Sequence, residues 1–217
     1  MTDALPAGPG GLGGPRRQPP PGSVPDLDPA ELQRLEHEAL AARPPGDGLW
    51  VFAYGSLMWD NSFRCSAAYP AELPGYERRY CVWDGRERGT AEVRSLTLGL
   101  LPGPGACTGL AMHIAAGDLN SEFPKVWRHE MPGGFYDAVW VDVAARKLGP
   151  VRALTFVAKP GHPMFAGAVG DTEIAAVLAR TAGPGGRARD YLRQTAEALR
   201  AAGVGDGRLD ALARAVG

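Results

Sequence analysis

The amino-acid sequence predicts an α+β fold, with strands through the middle of the chain and a helical C-terminal third. Between residues 49 and 158, short apolar runs are separated by Gly and Pro, which is typical of strands. After residue 171, apolar residues recur three or four positions apart, which is typical of amphipathic helices. Because the two kinds of element are largely segregated along the chain, the pattern favours α+β over alternating βαβ units.

The N-terminal part of the chain is expected to be a disordered tail over residues 1–24, followed by a single domain over residues 25–217. Gly and Pro dominate the tail, which leaves little apolar surface to bury. The first helix is expected to begin at Asp28, because Asp is a good N-cap and Pro29 suits the first helical position. Its end is expected at Pro44-Pro45-Gly46.

Six strands and one helix are predicted in the middle of the chain. The first strand, Leu49–Tyr54, is a short apolar run that suits burial on both faces. A helix is expected from Asp118 to about Glu130, interrupted or restarted at Pro124. The other predicted strands are Gly89–Val93, Ser95–Leu101, Thr108–Ile114, Tyr136–Val143 and Val151–Ala158.

Three helices are predicted in the C-terminal third. They begin at Asp171, near Arg187 and near Leu209, and each has apolar residues along one side. The glycine-rich segment Gly183–Gly186 separates the first two helices. This segment does not match a P-loop, because no strand precedes it and no Lys-Ser or Lys-Thr follows it. We therefore interpret it as a connector between helices.

Composition and charge exclude several classes of protein. Of the 217 residues, 45% are hydrophobic and 22% are charged, which suits a water-soluble globular protein. A net charge of −1 gives no electrostatic basis for binding nucleic acid or an anionic membrane. The sequence has no run of 18 apolar residues and no apolar signal-peptide core. Cys65, Cys81 and Cys107 are widely spaced and form no CxxC pair, which predicts neither a zinc site nor a disulfide framework and fits a reducing cytoplasm.

A candidate binding loop directly follows the first predicted strand. A glycine there lets the chain turn sharply and brings backbone amides close to a ligand, where they can hold a carboxylate or an oxyanion. The alternative is an ordinary strand-ending turn with Trp59 in the core. The sequence around Ser56 does not match the Gly-x-Ser-x-Gly nucleophile elbow, because Leu57 and Met58 follow the serine. The loop consists of Tyr54-Gly55-Ser56-Leu57-Met58-Trp59.

A candidate catalytic carboxylate, Glu130, stands between aromatic residues and the Gly133-Gly134 turn. Partial removal from water at such a place favours the neutral carboxyl group and makes the carboxylate a better base. The alternative is a solvated glutamate at a helix end. His129-Glu130 is not an HExxH zinc motif, because position 133 is Gly, and the four histidines of the chain show no ligand spacing.

Taken together, several segments over residues 48–217 resemble the ChaC-like family of γ-glutamylcyclotransferases. Trp50–Trp59 resembles the family's first strand and its YGSLxW loop, and Trp127–Met131 resembles its W-x-R-E-M stretch. Two departures are His129, where the family usually has Arg, and Ala188, where an Asn commonly precedes the last Tyr-Leu helix. The other matching segments are Gly75–Tyr80, Arg88-Gly89-Thr90, Pro160–Pro163 and Asp190-Tyr191-Leu192.

The resemblance implies a small mixed β-barrel flanked by helices, with the active site in a cavity at the end of the barrel. It implies cleavage of glutathione to 5-oxoproline and cysteinylglycine, with Glu130 as the base, the Tyr54–Trp59 loop around the γ-glutamyl group, and no metal or organic cofactor. His129 is expected to alter the charge around the site, and Ala188 to change a helix cap. Two alternatives stay open: a cyclotransferase for other γ-glutamyl amides, and a non-catalytic regulator associated with cation transport. The oligomeric state is not predicted.

Overall fold

A computed structural model describes residues 14–20, 22 and 24–217, and it confirms the α+β prediction. Five strands form a closed barrel in the order β1-β3-β2-β4-β5, with an additional pairing between β3 and β5. Most pairs are antiparallel, whereas β5 pairs in parallel with β1 and β3, so the barrel is mixed as expected. The strands are β1 (Leu49–Ala53), β2 (Ala67–Asp84), β3 (Ser95–Ile114), β4 (Tyr136–Ala145) and β5 (Gly149–Ala158).

Strand β1 closes the barrel, because it pairs with both β3 and β5. It pairs with β3 from Leu49 opposite Ile114 to Ala53 opposite Leu110, and Val51 meets Leu154 of β5. The side chains of Val51 and Phe52 are fully buried, which explains the uninterrupted apolar run. The loop that contains Tyr54 leaves this strand at the barrel end where β4 begins.

The largest difference from the sequence prediction is the long β2–β3 ribbon. Strand β2 was not predicted, and the two predicted strands Ser95–Leu101 and Thr108–Ile114 are parts of one 20-residue strand, β3. The turn-forming residues that suggested breaks lie at a bulge: the pairing register shifts between Pro74 and Tyr76, and Gly75 adopts a φ of 76°. The ribbon therefore bends at these residues and does not end there.

The prediction of a strand at Gly89–Val93 is wrong, because this segment belongs to the β2–β3 loop. The Asp84 carboxylate accepts hydrogen bonds from the backbone N–H groups of Arg86, Glu87 and Arg88, at 2.8, 3.0 and 2.8 Å. The Thr90 hydroxyl accepts one from the Val93 N–H at 3.1 Å. Side chains thus satisfy backbone donors that a strand would offer to a neighbouring strand.

Within residues 24–217, five helices flank the barrel, close to the predicted positions. Asp28 caps the first helix by accepting a hydrogen bond from the Ala30 N–H at 2.8 Å. A two-residue hairpin, β6 (Ala182–Gly183) and β7 (Gly186–Arg187), connects the third and fourth helices. Among the described residues, no helix has both the length and the apolar character needed to cross a membrane. The helices are α1 (Pro29–Ala41), α2 (Leu119–Glu130), α3 (Asp171–Arg180), α4 (Ala188–Ala201) and α5 (Gly207–Ala215).

The described part of the predicted tail lies against the barrel. The Arg17 N–H donates to the Ala166 carbonyl at 2.7 Å, and the Trp83 indole donates to the Arg17 carbonyl at 3.1 Å. Arg16 forms an ion pair with Glu173 at 2.5 Å. Residues 1–13, 21 and 23 of the predicted tail lie outside the described residues, and the division into tail and domain stays a prediction.

Candidate active site

A cavity of about 680 Å³ opens at the end of the barrel where β1 ends and β4 begins. Its wall combines the loop after β1, the β2–β3 loop, the C-terminal end of α2 and Tyr191 of α4. Among the residues that the structure describes, no group of three or more His, Cys, Asp or Glu side chains is placed to hold a metal ion. The segments that form the cavity wall are distant in sequence, and the barrel brings them together.

The structure places five of the six predicted loop residues in the cavity wall and leaves one outside it. Residues Ser56–Met58 form a short 3₁₀ turn directly after β1 and Gly55. Met58 does not line the cavity; its side chain is buried in the core. The residues that line the cavity are Tyr54, Gly55, Ser56, Leu57 and Trp59.

The buried guanidinium of Arg78 fixes the start of this loop. Its Nε donates to the Tyr54 carbonyl at 2.7 Å, its Nη1 to Asp206 Oδ2 at 2.5 Å, and its Nη2 to the Thr108 carbonyl. Arg78 as a residue is only 8% exposed, so these three acceptors are what makes its burial tolerable. The bonds hold the carbonyl of Tyr54 in place and with it the turn that follows.

A close approach, rather than backbone handedness, favours glycine at position 55. Its φ is −133°, which lies outside the left-handed region. A Cβ at this position would come within 3.1 Å of the Tyr191 hydroxyl oxygen, which is tighter than ordinary van der Waals contact. The glycine therefore leaves room for Tyr191 at the cavity wall.

Glu130 is the last residue of α2 and lines the cavity. The helix is anchored by Phe123 and Trp127, which are buried, and the Trp127 indole donates to the Leu32 carbonyl at 3.0 Å. The chain then turns away at Gly134, which has a φ of 68°. This anchoring leaves the carboxylate of Glu130 at the inner wall of the cavity.

The environment of the Glu130 carboxylate suits a base. Its side chain is 13% exposed, and burial raises the pKa of Glu130 above its usual value. The His129 ring, with Nε2 3.8 Å from Glu130 Oε1, opposes this rise, whereas Asp60 adds to it. A carboxylate with a raised pKa accepts a proton more readily than an exposed one.

Three buried tyrosines surround Glu130 in the cavity wall. Burial raises the pKa of Tyr191 to about 12 and holds the pKa values of Tyr54 and Tyr136 well above the usual value. All three are therefore neutral hydroxyl groups near neutral pH. Tyr54 donates to the Phe156 carbonyl at 2.7 Å, and Tyr136 donates to the Leu98 carbonyl at 2.5 Å.

Sequence reasoning did not predict Tyr136, Tyr191 or Arg88 as site residues. The Arg88 guanidinium carbon lies 5.7 Å from the Tyr191 ring centre and 5.9 Å from that of Trp59, which places a positive charge at the cavity wall. The available signal was that Arg88 and Tyr191 both belong to segments that carry the family resemblance. Position within a resembling segment did not by itself distinguish a wall residue from a core residue.

The two departures from the family pattern have different surroundings. His129 lies at the cavity, with its Nε2 2.8 Å from the Ser56 hydroxyl oxygen and its Nδ1 3.2 Å from Asp60 Oδ2. Ala188 is the fully buried first residue of α4, and the preceding residue, Arg187, makes no side-chain capping bond to that helix. The first departure therefore changes the site, and the second lies at the start of a helix.

Comparison with known proteins agrees with this geometry. A glutathione-specific γ-glutamylcyclotransferase of Escherichia coli (strain K12) is 31% identical over 173 residues, which are 80% of this chain and 74% of the relative. Glutathione-specific γ-glutamylcyclotransferase 1 of Danio rerio is 30% identical over 155 residues, 70% of this chain and 79% of the relative.

Solved structures support the same fold. The γ-glutamylcyclotransferase specific to glutathione from yeast superposes with a TM-score of 0.71 at 20% identity, over 79% of this chain and 96% of the yeast chain. At that identity the match concerns the fold alone. The family model described as ChaC-like protein matches residues 49–217, which is most of the chain and includes the barrel, the loop after β1 and Glu130. The protein therefore belongs to the ChaC-like family.

Proposed function

We propose that this protein is a glutathione-specific γ-glutamylcyclotransferase that cleaves glutathione to 5-oxoproline and cysteinylglycine. One observation carries the proposal: Glu130, with its raised pKa, lines the same cavity as the loop after β1. Membership of the ChaC-like family and the names of the relatives from Escherichia coli and Danio rerio support the choice of substrate.

The chemical step is an attack within the substrate. The α-amine of the γ-glutamyl group attacks its own γ-carbonyl carbon, a five-membered lactam closes, and the amide bond to cysteinylglycine breaks. The amine is mostly protonated near neutral pH, so a base must first remove a proton. Glu130 takes that proton and delivers it to the nitrogen of the departing cysteinylglycine. The second proton that the amine nitrogen loses as the lactam closes passes to the same leaving nitrogen, so cysteinylglycine departs with a protonated amine and the enzyme is unchanged.

The cavity wall supplies the positioning that an internal reaction needs. Because nucleophile and electrophile belong to one molecule, the enzyme gains rate mainly by fixing a bent conformer. Backbone amides of the Gly55–Leu57 turn hold the glutamyl carboxylate or the developing oxyanion. Tyr191 lies against Gly55 and contributes a neutral hydroxyl donor, and Arg88 lines the cavity and offers a guanidinium to a carboxylate of the substrate.

No metal or organic cofactor is part of this proposal, since each step uses a side chain or backbone group of the cavity. We place the protein in the cytoplasm, because Cys65, Cys81 and Cys107 are free thiols and the substrate of the proposed reaction is itself a thiol. Burial raises the pKa of Cys81 to about 12 and that of Cys107 to about 11, so neither is a reactive thiolate.

The test is a substrate panel for the purified protein after exhaustive chelation. Reduced glutathione, oxidised glutathione and several γ-glutamyl dipeptides are supplied separately, and 5-oxoproline is measured by mass spectrometry. We expect 5-oxoproline mainly from reduced glutathione. Preferential turnover of the dipeptides would favour a cyclotransferase for other γ-glutamyl amides. No product from any compound would favour a non-catalytic regulator, and activity restored only by added zinc or magnesium would overturn the cofactor-free mechanism.

A further inference from the structure

Three polar side chains of the cavity contact one another in succession, and the cyclotransferase mechanism gives none of them a bond to the substrate. The Ser56 hydroxyl oxygen lies 2.8 Å from Nε2 of His129, and Nδ1 of the same ring lies 3.2 Å from Asp60 Oδ2. All three residues line the cavity. They come from the turn after β1, the end of α2 and the loop that follows the turn. The histidine thus stands between a hydroxyl group and a carboxylate, with a different ring nitrogen facing each.

This order of groups is the one that activates a serine. At 3.2 Å, the Asp60 carboxylate attracts a proton to Nδ1 electrostatically, and Nε2 is then free to accept the hydroxyl proton of Ser56. Asp60 is held in place by Ser62, whose N–H donates to Oδ1 at 2.9 Å and whose hydroxyl donates to Oδ2 at 2.7 Å. A hydroxyl, a base and a group that orients the base are the three parts of a serine nucleophile.

The backbone context of Ser56 agrees with this role. Ser56 is the first residue of a 3₁₀ turn that is separated from the end of the buried strand β1 by two residues, so it lies at a strand-to-helix connection, as the serine of a nucleophile elbow does. The sequence lacks the glycine that usually follows such a serine, since Met58 occupies that position. The arrangement also depends on His129, where this chain departs from the residue that the family pattern predicts.

We propose that Ser56 is the nucleophile of a second activity in the same cavity, the hydrolysis of activated esters of small carboxylic acids. His129 removes the hydroxyl proton, the Ser56 oxygen bonds to the acyl carbon, and the bond to the alcohol breaks as the alcohol takes the proton from His129. Water then attacks the acyl-serine ester and gives its proton to His129. The carboxylic acid departs, and the Ser56 oxygen recovers the proton.

The substrate class follows from competition within the cavity. A γ-glutamyl group carries an α-amine that attacks its own carbonyl, and an internal nucleophile has a large kinetic advantage over a separate one. Attack by Ser56 is therefore expected only on acyl groups that lack such an amine. Esters suit it better than amides because their leaving alcohol is readily expelled.

Covalent labelling and ester hydrolysis together test the proposal. The intact protein is treated with an alkyl fluorophosphonate, and the labelled residue is located by peptide mass spectrometry. Hydrolysis of p-nitrophenyl butyrate is then measured for the unchanged protein, Ser56→Ala, His129→Arg and Asp60→Asn. The exposed His37→Arg on α1 is the matched control for histidine replacement. Melting temperatures are recorded for every variant.

We expect the label on Ser56, and a loss of at least about 100-fold in ester hydrolysis for Ser56→Ala and His129→Arg but not for His37→Arg. His129 is 34% exposed, so its replacement is expected to leave the protein folded even if Ser56→Ala does not fold. Glu130→Gln is expected to retain most of the ester hydrolysis while losing 5-oxoproline formation, so the two proposals can fail separately. Label on another residue, no label, or unchanged hydrolysis in His129→Arg would overturn the proposal.

Discussion

Helix α2 carries a glutamate near each end, Glu122 buried and Glu130 largely buried, and the two have opposite surroundings. Near its start, Glu122 Oε2 accepts hydrogen bonds from the Arg64 N–H at 2.8 Å and from the Lys125 ammonium at 2.9 Å. The side chain of Glu122 is 1% exposed, and these two bonds, that of Lys125 first, lower the pKa of Glu122 to about 2. At its end, Glu130 Oε1 lies 3.8 Å from Nε2 of the His129 ring, and burial raises the pKa of Glu130.

The difference shows that burial alone does not make a carboxylate reactive. Glu122 is removed from water and then given donors that stabilise its charge, so it is a poor base and a good structural anchor. Glu130 is largely removed from water and lines a cavity, and no residue in the described part of the chain donates a hydrogen bond to its carboxylate, so its charged form is less stable and its basicity greater. If Glu130 is the base, as we propose, helix α2 uses glutamate both as a structural partner and as a catalytic group.

Among the expected effects of replacing these two glutamates, the largest is the loss of turnover in Glu130→Gln. Glu130→Gln keeps the size of the side chain but cannot accept a proton near neutral pH. A positioned base contributes about 10²–10⁴-fold in rate, so 5-oxoproline formation from glutathione is expected to fall by at least that lower figure. The matched variant Glu122→Gln is expected to keep most of its turnover at a temperature where it is folded.

Turnover, glutathione binding and melting temperature are measured on one preparation of each variant. Glutathione is expected to bind to Glu130→Gln, because the loop after β1 is intact. A folded Glu130→Gln protein with more than about a tenth of the original turnover, well above what loss of a base leaves, would contradict the assignment.

The second expected effect is on stability and concerns the other end of the helix. Replacing Glu122 by Gln removes the charge that Lys125 and Arg64 contact, and leaves the backbone N–H of Arg64 with a weaker acceptor. We expect the melting temperature of Glu122→Gln at neutral pH to fall by several degrees. Thermal unfolding followed by circular dichroism checks this, and an unchanged melting temperature would show that the Glu122 contacts contribute nothing measurable.

The sequence reveals part of this contrast. Lys125 follows Glu122 by three residues, a spacing that favours contact on a helix, but the Arg64 N–H comes from a distant loop and leaves no local signal. Glu130 is recognisable from its aromatic and glycine neighbours. The His129–Ser56 contact joins residues 73 positions apart, so inspection of the residues beside Ser56 could not find it.

The fold, like the site, was predictable from the sequence only where the signal is local. Strand β1 and the amphipathic helices have local periodicity, and the sequence locates them. Strand β2 was missed because Pro70, Pro74 and Gly75 resemble a break, whereas in the structure Gly75 lies at the bulge and the Pro70 carbonyl accepts a hydrogen bond from the Arg146 N–H at 2.7 Å. Pairing with strands distant in sequence lets these residues lie within β2, and the local sequence does not show that pairing.

The third expected effect is the pH dependence of the Glu122 contribution. A folded-state pKa of about 2, below the ordinary value of 4.5, means that the contribution is complete above pH 4.5 and is lost as the pH falls towards 2. The difference in melting temperature between the unchanged protein and Glu122→Gln is therefore expected to shrink between about pH 6 and about pH 3. A difference that stays constant over this range would show that shape rather than charge sets the role of Glu122.

The smallest expected effect is on the stability of Glu130→Gln, and its sign distinguishes the two glutamates. Because the folded-state pKa of Glu130 is raised, the charged carboxylate carries a cost in the folded protein that is present above that pKa and absent below its ordinary value of 4.5. Glu130→Gln removes this cost, so at pH 7 the variant is expected to be as stable as the unchanged protein or slightly more stable, within about 1 kcal/mol. At about pH 4 the two proteins are expected to unfold together, since the carboxyl group is then largely neutral in both states. Chemical denaturation at both pH values measures the difference. If Glu130→Gln is destabilised at pH 7 as strongly as Glu122→Gln, then Glu130 is a structural partner like Glu122, and the contrast between the two ends of the helix is wrong.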